Sequence, residues 1–469
     1  MKFVNEKLQE FENYIKNKKV AIIGLGVSNI PLIEYFHDLG SDVTVFNNKP
    51  IDKLEKEVLD KIYEYKLKFS FGENYLSKLN GFDIIFRSPS CRPDLPEIKK
   101  EIENGAILTS EIELVLEMCP GTTIGVTGSD GKTTTTTLIY EILKEQGLNC
   151  YLGGNIGIPL FTKIKEMKPD DYVVLELSSF QLMTMNVSPN IAVITNISPN
   201  HLDIHKSYDE YISSKANIFK YQTENDLLVL NFENEITKGF EKSANSKVIY
   251  FSSKTKLEDG VILDNNIIKQ CANGLRRHIV NFKTAKLKGL HNAENICAAI
   301  SATNNISSPE VQLKVASNFS GVDHRLEFVK EINGAKWYND SIASSPTRTI
   351  AGLNSFDKNI VLIAGGYDKN LDYNKLAKPI IDKTSSLILL GQTTNKIYSA
   401  VTNELKYVEK NLPIYKVNTL DEAVKKAKEI TKEDDVVLFS PASASFDMFK
   451  NFEERGNKFK QIVNNLFSE

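Results

Sequence analysis

The residues able to do chemistry are concentrated in one stretch, Thr123-Ile124-Gly125-Val126-Thr127-Gly128-Ser129-Asp130-Gly131-Lys132-Thr133-Thr134. A β-branched run ends in a glycine-rich turn. It then passes through Gly-Lys-Thr into a segment with Leu138, Ile139, Ile142 and Leu143 at helical spacing. Strand, loop, helix is the order that holds a triphosphate, because glycines let backbone N–H groups approach the anion and a helix N-terminus favours negative charge. Lys132 would neutralise the β- and γ-phosphates of ATP, and the Thr133 hydroxyl would reach Mg²⁺. The strict spacing asks for glycine at 126, where this chain has Val126. The turn is the shorter Gly128-x-x-Gly131-Lys132-Thr133.

Other candidates flank strands. Glu176 lies inside the apolar run Tyr172-Val173-Val174-Leu175-Glu176-Leu177. A carboxylate buried there unpaired costs several kcal/mol, on the order given by Born-type penalties, so it needs a cation: Mg²⁺ beside a nucleotide, or a neighbouring Lys or Arg. His201, next to Asp203 after the strand Ile191-Ala192-Val193-Ile194, is either a ligand or part of a surface turn. Lys215, in Ser213-Ser214-Lys215-Ala216, reads by propensity as a solvated helical lysine. Near the N-terminus, Gly24-Leu25-Gly26-Val27-Ser28-Asn29 follows the strand Lys19-Val20-Ala21-Ile22-Ile23 and opens a helix. A dinucleotide fingerprint would place a small residue at 29 and an acid at the end of the second strand. Asn29 and Asn47 stand there, which disfavours NAD and leaves a loop for another phosphate.

The elements that must position these groups are those of an α/β protein. The chain has 469 residues, enough for about three domains of ordinary size. It is 41% hydrophobic and 25% charged, with a net charge of −3 and no apolar run long enough to span a membrane. Neither a nucleic-acid partner nor membrane insertion is expected, and Met1-Lys2-Phe3-Val4-Asn5-Glu6-Lys7 lacks the apolar core of a signal peptide. A cytoplasmic monomer is expected. The five cysteines are scattered, with no C-x-x-C pair, so they read as reduced, mostly buried thiols.

Three domains are expected, over 1–115, 116–322 and 323–469. The first continues through strands at Asp42–Phe46, Asp83–Phe86 and Ala106–Leu108. The second carries the phosphate loop, then short alternating strands over 225–285 with an Asn273-Gly274 turn, and an alanine-rich helix after Gly289. The third has strands at Lys336–Asn339, Ile360–Ala364, Leu387–Leu390 and Val436–Phe439. Their polar loops are where a second substrate belongs, since open α/β sheets bind ligands at the carboxyl ends of strands.

Taken in order, Thr127-Gly128-x-x-Gly131-Lys132-Thr133, Glu176-Leu177-Ser178-Ser179-Phe180-Gln181, Asn196-x-x-x-x-His201-Leu202-Asp203, Gly289-x-His291-Asn292 and His324-Arg325 resemble the signposts of the Mur ligase family. Within it, Ser440-Pro441-Ala442-x-Ala444-Ser445-x-Asp447-x-Phe449-Lys450-Asn451-Phe452-x-x-Arg455-Gly456 is similar to the members that add D-glutamate to UDP-N-acetylmuramoyl-L-alanine. The resemblance implies an N-terminal Rossmann-like domain, a central parallel sheet of ATPase type with an added small sheet, and a C-terminal Rossmann-like domain. It also implies an acyl phosphate made from ATP and then displaced by the amine of D-glutamate.

Residue by residue, the resemblance assigns Gly128, Ser129, Asp130, Gly131, Lys132, Thr133 and Thr134 to ATP, with Asn295 at adenine, Arg325 at ribose or phosphate, and Asp340 as a further ATP contact. Thr133, Glu176 and His201 become Mg²⁺ ligands, joined by Lys215 as a carbamate. Lys132, Lys215, His201 and Glu176 are thus the catalytic set. Leu25, Gly26, Val27 and Ser28 fall at the UDP moiety, Asn155 and Ser179 at the muramoyl-alanine end, and Lys369, Ser445 and Phe452 at D-glutamate. The chain departs from relatives at Asp340-Ser341-Ile342-Ala343-Ser344-Ser345-Pro346-Thr347, where a lysine is replaced by Ile342, at Asn47-Asn48-Lys49 and at Ser90. The other readings are a folylpolyglutamate synthase, a sister ligase taking L-alanine or a diamino acid, an amidating subunit working with a glutaminase, and a generic phosphate-loop ATPase. The first three lack their own signals here, and the last rests on the bare loop.

Overall fold

The computed structural model describes residues 3–54, 56–199, 204–287, 289–357, 359–369, 371–406 and 411–466. The chain divides into two compact units, Met1–Phe319 and Ser320–Glu469.

The first unit contains two sheets. Its five-stranded sheet is wholly parallel, in the spatial order Lys68–Phe71, Asp42–Asn47, Lys19–Ile23, Ile84–Arg87, Ile107–Thr109. The chain runs outward from the central strand Lys19–Ile23 first to one side and then to the other. The crevice at that reversal, between the loops after Ile23 and after Arg87, is where such a sheet binds ligands. Lys68–Phe71 is a strand that periodicity does not reveal, because it is half-exposed at the edge.

The second sheet has nine strands, from Cys150–Gly154 at one edge through Tyr172–Glu176, Thr122–Thr127, Ile191–Ile194, Leu227–Asn231, Lys247–Ser252, Gly260–Asp264 and Ile267–Ala272 to Leu275–Asn281. The first seven of these are parallel and the last two antiparallel. The short strands expected over 225–285 therefore hydrogen-bond onto the parallel core, making one continuous sheet. Asn265 and Asn266, then Asn273 and Gly274, all have φ between 50° and 77°, the left-handed pair of a two-residue hairpin turn. One apolar cluster joins the two sheets, with Leu32, Phe36 and Phe86 packed in the same core as Phe161, Val173 and Leu175.

The second unit has a six-stranded sheet in the order Glu327–Ile332, Ala335–Asn339, Val436–Phe439, Ile360–Ala364, Thr384–Leu389, Ile414–Lys416. Only the first pair is antiparallel. Helices cover both faces, burying Leu353, Leu376 and Val401 on one and Val424, Phe459 and Val463 on the other. All five cysteines are free thiols and four are buried. Among the described residues, no helix is long and apolar enough to cross a membrane.

Candidate active site

The central loop is gripped from the strand beside it. Gly128 has φ +153°, and a Cβ there would lie 1.9 Å from Thr195 Oγ1; Gly131 has φ +78°, and its Cβ would meet Asn295 Oδ1 at 2.2 Å. Only glycine fits either place. Ser129 and Asp130 donate their backbone N–H groups to the Asn196 carbonyl and to Asn196 Oδ1, at 2.9 and 3.0 Å. Thr195 Oγ1 donates to the Asp130 carbonyl at 2.6 Å. The loop feeds the helix Lys132–Glu145, with Thr133 buried in its first turn and Thr134 half-buried.

Two lysines converge on the loop. Lys132 Nζ donates to the carbonyls of Gly128 and Ser129, each at 2.8 Å. Lys215 Nζ donates to the Gly128 carbonyl at 2.7 Å and to Thr127 Oγ1 at 3.3 Å. The propensity reading of Lys215 as solvated is overturned. It is 1% exposed, on the face of the helix Tyr208–Lys220 that also buries Tyr211, Ile218 and Phe219. Burial first, and then the charge of Lys132, hold its amine well below the ordinary lysine range, with Glu176 and Asp130 acting the other way.

Glu176 ends its strand opposite Val126 and Gly154. Its Oε1 accepts from Asn155 Nδ2 at 2.8 Å, while Oε2 is buried with no hydrogen-bond partner among the described residues. The Lys215 charge acts on Glu176 through space, and among the described residues Oε2 itself has no hydrogen-bonded positive partner. Asn295, 5% exposed, accepts from Thr135 Oγ1 and stands against Gly131, so the structure brings it to the loop. Ser179 is buried, with His205 Nε2 3.0 Å from its Oγ. His201 lies outside the described residues.

In the five-stranded sheet, Leu25 and Ser28 are half-buried, and Gly26 and Val27 are exposed in the turn after Ile23. Asn29 explains why the third small residue of a dinucleotide fingerprint is absent. Its buried amide donates to the carbonyls of Ile23 and Gly24 at 3.1 and 3.0 Å, bracing the turn from within. Sequence reasoning missed Arg87 at the end of the neighbouring strand. Buried at 2% exposure, it donates to the Cys91 carbonyl, the Phe180 carbonyl and Thr184 Oγ1, tying this sheet to the turn that carries Ser179. The argument applied to Glu176, a charge within a buried strand, would have found it.

The second unit gathers its own group of predicted residues. Arg325 is exposed between His324 (φ 63°) and Leu326 (φ 45°), two non-glycine residues in the left-handed region. Such conformations cost roughly 1–3 kcal/mol each and persist only where the surroundings enforce them. Asp340 Oδ1 accepts from the Leu326 N–H at 3.2 Å and Oδ2 from Ser440 Oγ at 2.7 Å. Burial outweighs both donors and pushes its carboxyl up to about 7. Ser345 caps the next helix by position alone and Thr347 is exposed, whereas Thr349 is the threonine that bonds the Ser440 loop.

Ser445 is buried and Phe452 half-buried, whereas Lys369 is exposed with its Nζ 5.2 Å over the Phe446 ring. Their loops adjoin where the Tyr367 N–H meets the Ala444 carbonyl at 2.9 Å. Arg455 holds the group together: Nη1 donates to the carbonyls of Ser443 and Ala444, Nη2 to the Ser341 carbonyl, and Nε to Ser341 Oγ, at 2.7–3.0 Å.

Residues 126–303 match the Mur ligase middle domain and residues 324–443 the domain described as Mur ligase, glutamate ligase domain. A UDP-N-acetylmuramoylalanine--D-glutamate ligase of Acetivibrio thermocellus is 53% identical over 465 residues, which are 99% of this chain and 100% of that protein. The chain belongs to the Mur ligase family. A ligase of the same name from Clostridium novyi is 51% identical over 463 residues, again 99% of this chain and all of the other. Among solved structures, UDP-N-acetylmuramate-alanine ligase from Thermotoga maritima superposes with a TM-score of 0.53 at 20% identity, over 95% of this chain and 99% of that one. A pseudomurein peptide ligase from Methanothermus fervidus gives 0.52 at 19%, over 96% and 99%. These two likenesses establish that the α/β architecture is the Mur ligase fold.

Proposed function

We propose that this Mur ligase joins D-glutamate to UDP-N-acetylmuramoyl-L-alanine at the expense of ATP, giving ADP and phosphate, in the synthesis of peptidoglycan precursors in the cytoplasm. The observation that carries the reading is the identity above one half, over the full length, with ligases named for that reaction. The geometry supports the chemistry. The substrate carboxylate attacks the γ-phosphorus, the bond to the β-phosphate oxygen breaks, and an acyl phosphate and ADP result. The amine of D-glutamate then adds to the acyl carbon, and the tetrahedral intermediate expels phosphate.

Phosphoryl transfer asks mainly for positioning and charge neutralisation. Residues 128–134 and the N-terminus of the helix Lys132–Glu145 hold the triphosphate, and Lys132 swings from the loop carbonyls onto it. Asn295, Arg325 and Asp340 are the further ATP contacts of this reading. Asn155 and Ser179 orient the reacting end of the muramoyl substrate, while Leu25, Gly26, Val27 and Ser28 meet its UDP. Lys369, Ser445 and Phe452 hold D-glutamate, the ammonium of Lys369 facing a carboxylate.

The unpartnered Glu176 Oε2 fits a divalent cation, with Thr133, His201 and Lys215 completing the set. Mg²⁺ bound there would offset charge on the transferring phosphoryl group. Lys215 suits a carbamate because burial, and then the charge of Lys132, lowers its pKa and favours the neutral amine, which adds CO₂ with release of a proton.

Phosphate release from ATP with UDP-N-acetylmuramoyl-L-alanine, compared for D-glutamate, L-glutamate, L-alanine and a diamino acid, tests the reading. Release with D-glutamate alone, with a product heavier by one glutamyl residue, is expected. Release with a different acceptor would overturn the assignment of the 440–456 loop, and release indifferent to every acceptor would leave only an ATPase.

A further inference from the structure

We propose that His205 is a positioning residue of the reaction centre, which sets how the Ser179 hydroxyl presents its proton to the muramoyl substrate. The inference rests on the assignment of Ser179 to that substrate's reacting end. His205 is 2% exposed, with Nε2 3.0 Å from Ser179 Oγ and Nδ1 3.3 Å from Glu210 Oε2. Its ring lies flat on Phe180, with centroids 5.0 Å apart and planes at 12°, and meets Tyr211 edge-on at 5.2 Å. The imidazole therefore has one orientation.

Glu210 is a permanent anion. Arg92 donates to both its oxygens, at 2.8 and 3.2 Å, and holds its carboxyl down to about 2. Arg92 is itself fixed by Asp94 and by the Ile204 carbonyl. The Glu210 carboxylate lies at ion-pair distance from Nδ1 without hydrogen-bond geometry, and its charge favours a proton on that nitrogen. Only the far nitrogen is left to address Ser179. When the ring carries both protons, its charge set against Glu210, Nε2 donates, the serine oxygen accepts and its own proton points to the substrate, which suits a carboxylate. When the ring carries only the Nδ1 proton, Nε2 accepts, the serine proton is turned back to the ring and a carboxylate meets lone pairs. Sequence reasoning passed over this histidine because nothing in Ile204-His205-Lys206 announces burial. The signal is spatial: a charged chain from the first sheet's Arg92 through Glu210 to the ring.

The test uses initial rates of the full chain with each of the three substrates varied in turn, for the parent and for His205→Gln, His205→Asn and His205→Ala. Loss of one hydrogen bond corresponds to about a tenfold change in an equilibrium or rate ratio. His205→Ala is expected to lower kcat/KM for the muramoyl nucleotide about tenfold, with KM for ATP within about twofold of the parent. His205→Gln, whose amide N–H reaches close to the Nε2 position, is expected to recover most of the loss. His205→Asn, one bond shorter, should not. Parent-like kinetics in His205→Ala, or equal impairment in Gln and Ala spread evenly over all three substrates, would overturn the proposal. Absence of D-glutamate-dependent phosphate release in the parent would instead overturn the functional reading.

Discussion

At the scale of single residues, opposing effects at one group decide the outcome. On the proposed reading Lys132 faces the phosphates, and electrostatic stabilisers of this kind are worth on the order of 10²-fold or more in turnover. Lys132→Ala should therefore lose at least that much phosphate release; near-normal turnover would remove the loop from the mechanism. Asp340 carries a prediction of opposite character. Its folded-state pKa of about 7 lies above the ordinary 3.8, so the folded chain binds a proton that the unfolded chain has released. That contribution to stability is complete below about pH 4 and is lost as pH rises toward 7. Asp340→Asn should thus stabilise the protein more at pH 8 than at pH 5, by a few kcal/mol at most on linkage grounds. Urea midpoints of the two proteins at both pH values measure it; a pH-independent difference would mean that the carboxyl is ionised throughout.

Elements position these groups, and much of their arrangement could be read in advance. Long apolar runs such as Tyr172–Glu176 and Ile360–Ala364 are buried on both faces and announced themselves as parallel strands. The edge strands Lys68–Phe71 and Ile414–Lys416 did not, since half-exposed residues carry no apolar run. The glycine-rich turn before Lys132 was legible because its glycines answer local steric demands. Arg87, His205 and Arg455 act between segments distant in sequence, and no local pattern encodes that. Lys215 misled for the same reason: its burial comes from the packing of a whole helix face. Gly131→Ala should cost roughly 1–3 kcal/mol from its left-handed backbone alone and displace Asn295, seen as a lower melting temperature and weaker nucleotide binding. Arg455→Met leaves up to three carbonyls short of a donor, at roughly 1–3 kcal/mol each if none finds water. It should raise the KM for D-glutamate more than that for ATP, and an equal rise in both would show that the arginine serves folding alone.

At the scale of the molecule, each compact unit has its own core. The second unit packs helices on both faces of its sheet, burying Leu362, Leu389 and Leu438 on one side and Val361, Ile388 and Phe439 on the other. A unit with a complete core is expected to unfold cooperatively by itself. Calorimetry of the full chain should resolve two transitions, and residues 320–469 produced alone should reproduce one of them. A single transition in the full chain with a fragment that melts without cooperativity would contradict that division.

The nine-stranded sheet ends in Leu275–Asn281, whose outward edge pairs with no further strand among the described residues. An open strand of that kind is a template for a second molecule, and long apolar edges lead to fibrils. Here Leu275, Arg276, Arg277 and His278 are all exposed, so the first half of the edge carries two adjacent guanidinium groups. Two copies brought edge to edge in an antiparallel register centred on Arg276 and Arg277 would set these cations against each other. The charge thereby disfavours that self-pairing, in the way charged side chains blunt exposed sheet edges.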